Sequence, residues 1–461
     1  MKKRLFLRVL SILLLVCITV CGITACNEEA EGTETPETED SSGGTVRAIK
    51  VKKKMNKGSV ITLSDIYMVE IDPAELPEGY VSKTADAVDR KLLSVIDADE
   101  FLTADVLSKS VVKKEEEVKI DADETLARRL GYVIVTDFVD ADTGEDISEE
   151  LQKIIDSNSR KTIYFPDGIY TIAYPLQTSS NADKAVSLHL SQNAVIRASN
   201  RWRGRSDYMI QLGVKNKTFS IDQTGTNYYL YGGVIDGNGR ANGVALEGGR
   251  ETSIRNVTIK NAMNGMHVVY NEAYGSNDSD TEWVTIEGCG LGGSVGLLID
   301  GLDNTFSNMR ISGFETGVYL TRPGNLMHNI YTKYIEGGTQ TYENGRGFYD
   351  ESGGNWYDVC RAEDYRTAFF TNASSMSLYN DCGALWKSAK GRQIAIETNG
   401  GLNASVTNMK AEFFGTGDNI FLLTYADGGN GIIKDPMFDL RLTSNENYLK
   451  YLVGRVVWSN S

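Results

Sequence analysis

Gly296-Leu297-Leu298-Ile299-Asp300 and Gly317-Val318-Tyr319-Leu320-Thr321 are two copies of one phrase, a small residue followed by a short apolar strand. Further copies stand at Gly243-Val244-Ala245-Leu246-Glu247, Gly265-Met266-His267-Val268-Val269 and Gly347-Phe348-Tyr349-Asp350-Glu351. Weaker ones follow at Thr367-Ala368-Phe369-Phe370-Thr371 and Gln393-Ile394-Ala395-Ile396-Glu397. Their starts are separated by 22, 31, 21, 30, 20 and 26 residues. A base period near 21 with occasional insertions is the length of a coil made of three short strands and three turns.

Other strands recur between these at a steady offset: Ser253 to Ile259, Trp283 to Ile286, Asn308 to Ile311 and Ser405 to Met409. Alternation sends one set of side chains into a narrow core and the other to water. Stacked coils of this kind predict an all-β chain forming a right-handed parallel β-helix. A β-sandwich would not hold a fixed period over this length. The 46 glycines, with scattered Asn and Asp, suit a chain that turns three times per coil. Cys360 and Cys382 fall at matching places in consecutive coils, which predicts stacked inert thiols rather than a disulfide.

The 461-residue chain is 24% charged and carries a formal charge of −15. Such acidity argues against non-specific nucleic-acid binding, which needs Lys and Arg to neutralise phosphates. A polyanionic glycan would need a local basic patch or bridging cations. Met1-Lys2-Lys3-Arg4, the 12 apolar-rich residues from Val9 to Val20, and Ile23-Thr24-Ala25-Cys26 have the order of a secretory signal. Small residues before a cysteine resemble the lipobox of bacterial lipoproteins. That resemblance implies cleavage before Cys26, lipid on its thiol, and an extracytoplasmic protein held at the cell membrane. Residues 26–45 then read as an acidic tether too polar to fold. Loss of Cys17 and Cys21 with the signal leaves Cys289, Cys360 and Cys382, and three histidines. Neither a disulfide framework nor a zinc site is expected, and no cofactor is implied.

Residues 46–110 form a separate unit. Lys57-Gly58-Ser59-Val60-Ile61-Thr62-Leu63-Ser64-Asp65-Ile66 is echoed by Ala98-Asp99-Glu100-Phe101-Leu102-Thr103-Ala104-Asp105-Val106-Leu107. The layout resembles the SAF (β-clip) domain of pilus-assembly and flagellar P-ring assembly proteins and of sialic acid synthases, which implies a binding or assembly module. The run Lys50-Val51-Lys52-Lys53-Lys54 is a candidate contact for anionic polymer or headgroups. Residues 111–130 read as a linker, and 131–461 as the β-helix. At its start, Asp146 with Glu149 reads as a capping box. Thr162 to Ile172, with its Pro166-Asp167-Gly168 turn, reads as a hairpin. With Gly232-Gly233-Val234-Ile235-Asp236-Gly237-Asn238-Gly239 further on, this order resembles the N-terminal cap of the pectate-lyase superfamily. That group includes polygalacturonase-like hydrolases, polysaccharide lyases and phage tailspikes.

The resemblance implies action on glycans, yet the Asn-Thr-Asp-Gly, Asp-Asp and Gly-His-Gly motifs of the polygalacturonase branch are missing, so its catalytic residues do not carry over. The alternation itself selects candidates. With Val244 and Leu246 inward, Glu247, His267, Asp300, Tyr319, Tyr349, Glu351 and Glu397 line one outward sheet, and Arg322 follows just past its strand. Glu247, Asp300 and Glu351 are spaced two coils apart, about 9–10 Å, against the roughly 6.5–9.5 Å between the carboxyls of inverting glycosidases. Asp300 is the central candidate, with Glu351 or Glu247 as its partner; in a lyase His267 or Arg322 would take the proton instead. Tyr319, Tyr349 and Trp356 are candidates for stacking on sugars. Asp236 reads as a turn former, and Asp350 falls at an inward position. The expected function is a surface lipoprotein cleaving a polysaccharide, as hydrolase or lyase. A non-catalytic glycan or cell-wall binder is the alternative, and a structural stalk the third possibility.

Overall fold

The computed structural model describes residues 45–111, 122–179, 181–213, 228–247, 249–270, 276–372, 374–387, 391–413, 418–438 and 451–453. Cys26, the signal and the tether lie outside them. The chain divides into two compact units, Met1–Val118 and Lys119–Ser461.

In the first unit, Val46–Val51 pairs antiparallel with Ile66–Ile71, and Arg90–Leu92 with Leu107–Val111. Ile49, Val51, Ile61, Ile66, Leu92, Ile96 and Leu102 form its core. Asp65 closes the Thr62 turn, accepting from Thr62 N (3.1 Å) and Oγ1 (2.6 Å), with Lys53 Nζ at 2.9 Å. The hydrogen bonds of Thr62 and Lys53 hold this carboxyl down to about 2. The basic run is largely engaged within the unit: Lys50 lies over Phe101 at 4.2 Å and Lys54 pairs with Asp97 at 2.7 Å.

The second unit is a parallel β-helix, right-handed as parallel crossovers are. Its described strands form three parallel sheets of ten, thirteen and eleven strands. Each coil contributes one strand to each, as in Val295–Ile299, Thr305–Ser307 and Arg310–Ser312. The glycines of the repeated phrase are needed for close approach. A Cβ on Gly265 would stand 2.2 Å from the Gly296 carbonyl oxygen, and one on Gly317 would stand 2.6 Å from that of Gly347. Inside, aromatic rings stack coil on coil: Phe348–Phe369 at 4.9 Å, Tyr357–Tyr379 at 4.6 Å and Trp386–Phe413 at 4.8 Å. Cys360 and Cys382 are buried free thiols, as the spacing predicts, whereas Cys289 is exposed.

From Asn256 onward, the chain turns between the thirteen- and eleven-stranded sheets on a single left-handed residue in each coil. Asn256, Trp283, Asn308, Asn329, Val359, Asp381 and Asn408 occupy this corner, with φ between 50° and 57°. Asn and Asp tolerate that region; Val does not. At the corner after the ten-stranded sheet, buried asparagines link successive coils. Asn304 N donates to Asn325 Oδ1 (3.1 Å), and Asn325 N to Asn355 Oδ1 (3.0 Å).

Three local expectations are corrected. Thr162–Phe165 and Gly168–Ile172 do not form a hairpin; they pair in parallel with Ser187–Leu190 and Ala194–Ala198 in two different sheets. Pro166 and Asp167 therefore turn a coil corner. Asp146 is no capping-box partner of Glu149. Its Oδ1 accepts from Ser148 N (3.1 Å) and Ala173 N (2.9 Å), tying the helix Ser148–Ser157 to the first coil. The supposed linker contains the helix Ala122–Arg129, with acids in its first turn and arginines in its last, and Ala127 packs on Ile134 and Tyr164.

Candidate functional site

The outward face of the ten-stranded sheet carries one row in strict register: Ala245, His267, Leu298, Tyr319, Tyr349, Phe370 and Glu397. Inward neighbours Val268, Ile299, Leu320 and Phe348 are buried, so alternation alone aims the row outward. Just past the strand ends lie Asp300, Thr321 and Glu351.

These two rows meet at Asp300. His267 Nε2 lies 2.6 Å from its Oδ2, and Thr321 Oγ1 donates to its Oδ1 at 2.5 Å. Burial pushes the Asp300 carboxyl up, but the hydrogen bonds from His267 and Thr321 and the charge of Arg322 outweigh it and hold the group below the usual carboxylate range. One coil on, the Tyr319 hydroxyl donates to Glu351 Oε2. Burial and this carboxylate push the phenol well above its ordinary value, so it stays protonated. The Tyr319 ring stacks on Tyr349 with centroids 4.7 Å apart and planes 12° from parallel. The Arg346 guanidinium covers the Tyr349 ring at 4.5 Å, and that of Arg322 covers Tyr270 at 4.3 Å.

Asp300, Glu351, His267, Arg322, Tyr319 and Tyr349 are therefore brought together. Three candidates are not. Trp356 belongs to the thirteen-stranded sheet, in register with Leu326 and Leu378, because the turn after Glu351 carries the chain onto another face. Glu247 points outward by parity but is only 6% exposed, so it presents no carboxylate to solvent. Glu397 is likewise buried and held by Arg366, Thr367 and Tyr425. Asp236 does close its turn, accepting from Asn238 N (3.0 Å) and Asn261 Nδ2 (2.9 Å).

Sequence reasoning missed three contributors. Thr321 was visible by parity, but its bond to Asp300 across a coil was not. Tyr208, whose ring is 5.8 Å from His267, lies in a strand before the repeated phrase begins. Tyr270 follows its strand as Arg322 follows its own, and only stacking of coils shows that they meet. Among the described residues no group of three or more His, Cys, Asp or Glu is placed to hold a metal ion.

Residues 46–126 match the family described as chaperone for flagella basal body P-ring formation. The first unit is a SAF-type domain. No curated protein matches the sequence. Beyond the SAF-type domain, the β-helix aligns with solved structures at low identity. A double mutant of the tailspike protein of E. coli bacteriophage HK620 shares 13% identity over 68% of this chain and 67% of its own, with a TM-score of 0.49. An alginate lyase from Paenibacillus shares 14% over 61% and 97%, with a TM-score of 0.45. A family 28 exopolygalacturonase from Yersinia enterocolitica shares 13% over 71% and 76%, with a TM-score of 0.40.

Proposed function

We propose that the chain is a cell-surface lipoprotein that cleaves an acidic polysaccharide on the outward face of the ten-stranded sheet. The contact between His267 and Asp300 carries this reading. With Asp300 held ionised, the proton between them sits on Nε2, and Nδ1 is the atom left to take a proton. Asp300 thus acts as the orienting partner of His267 rather than as one of two acid–base carboxyls. His267 removes the C5 proton of a uronate, Arg322 stabilises the charge that develops on its carboxylate, and the C4–O bond breaks. The Tyr319 phenol protonates the leaving oxygen and is reprotonated through Glu351. Tyr349, stacked behind Tyr319 and covered by Arg346 on its other face, holds the Tyr319 ring in place.

His267→Ala and Asp300→Asn should abolish release of unsaturated, ultraviolet-absorbing ends from a uronate polymer while leaving binding within about twofold, since binding rests on the flanking aromatic and basic groups. Full turnover in both variants would dismiss this face as the reaction site. A hydrolase would yield reducing ends without unsaturation and would depend on Asp300 and Glu351, which lie two coils apart, a backbone spacing of about 9–10 Å. The stacked Tyr319–Tyr349 pair favours one further reading, a non-catalytic glycan binder with the SAF-type domain as an assembly adaptor. That reading requires binding without turnover in the parent and its loss in Tyr349→Ala.

A further inference from the structure

The eleven-stranded sheet faces away from this chemistry, and its outward row has a gap. Tyr331, Arg361, Gly383 and Lys410 stand in register on four successive coils. Over Gly383 the surface sinks into a groove of about 380 Å³, within the ~300–1,000 Å³ of small-ligand sites. The backbone does not impose this glycine. Gly383 is not in the left-handed region, and an added Cβ would make only ordinary contact, 3.5 Å from Arg361 Cγ. The glycines of the repeated phrase differ, since a Cβ there would strike a carbonyl. What the missing side chain does at 383 is open the groove.

Charge on the walls is unevenly satisfied. Glu363 is only 3% exposed and anchors Lys333 (2.9 Å), Lys387 (2.7 Å) and the Tyr331 hydroxyl, so one carboxylate holds two ammonium groups. Lys410 pairs with Glu412 at 2.6 Å. The exposed Arg361 guanidinium has no hydrogen-bond or ion-pair partner among the described residues. Asp381 and Asn408 complete the rim. An unpartnered guanidinium fork matches a planar oxyanion. Carboxylate and amide oxygens around it suit the several hydroxyl donors of a sugar ring.

We propose that this groove binds one acidic sugar residue, with its carboxylate or phosphate on Arg361 and its ring over Gly383. It is a second glycan site, independent of any reaction on the ten-stranded face. The test is calorimetric titration of the full chain with digalacturonate, with glucose 6-phosphate, and with maltose as the neutral control. Arg361→Gln should remove one equivalent of bound acidic probe, whether or not the other face also binds. Gly383→Leu, which fills the groove, should do the same, and His267→Ala should keep that equivalent. Loss with digalacturonate alone assigns a carboxylate, and loss with glucose 6-phosphate alone a phosphate. An unchanged stoichiometry in Arg361→Gln overturns the site, as does parent binding of both acidic probes no tighter than that of maltose.

Discussion

Asp350 sits inside the coil with no exposed surface, surrounded by groups that donate to it: Gly353 N (2.7 Å), Asn355 Nδ2 (3.0 Å) and Ser377 Oγ (2.7 Å). Asp350→Ala should cost about 3 kcal/mol by stranding those donors, and Asp350→Asn clearly less. Equal losses in urea unfolding would contradict the network. Burial raises its carboxyl above the ordinary value despite these bonds. Folding therefore favours its protonated form, and its contribution to stability falls as pH rises from the ordinary carboxylate range through the raised value. Asp65 has the opposite sign: its contribution is complete above the ordinary range and is lost as pH falls towards about 2. On the outward face, Thr321→Val removes a donor to Asp300, so the acid limb of the pH–rate profile should move to higher pH. An unmoved limb would show that Asp300 does not govern it. Alternation in the sequence placed Asp350 inward and His267 and Asp300 outward. It left out their partners, because Ser377 and Thr321 belong to neighbouring coils whose stacking depends on turn lengths.

At the level of strands and corners, Val359 is the anomaly. It holds φ 55° in a row otherwise mostly Asn and Asp, a conformation that costs a β-branched residue about 1–2 kcal/mol. Val359→Asn should stabilise the β-helix by about 1 kcal/mol, seen as a higher midpoint in thermal or urea unfolding; no gain would mean that its side-chain packing compensates. The glycine-led strands were legible because close approach of coils demands glycine there. Corners were less so: Pro166-Asp167-Gly168 is as good a turn for a hairpin as for a coil corner, and only the pairing of each strand with the next coil decides. The same ambiguity displaced Trp356, since parity fixes in or out but not which sheet.

For the whole molecule, the formal charge is −15, and both proposed sites place arginine on an acidic protein, Arg322 and Arg346 at one and Arg361 at the other. The proposed anchor predicts that Cys26→Ser shifts the protein from the membrane fraction to the soluble one and alters precursor processing. Membrane association unchanged by the substitution would exclude it. Stacked rings 4.6–4.9 Å apart mark the rise of each coil, which is close to the advance per sugar along an extended polysaccharide. A chain lying parallel to the helix axis therefore meets a ruler graduated in its own units. Slipping by one sugar amounts to slipping by one coil, so the backbone sets no preferred stop. Only the non-repeating side chains do, and on the proposed function it is the His267 and Tyr319 coils that would fix where a polysaccharide lying along the sheet comes to rest.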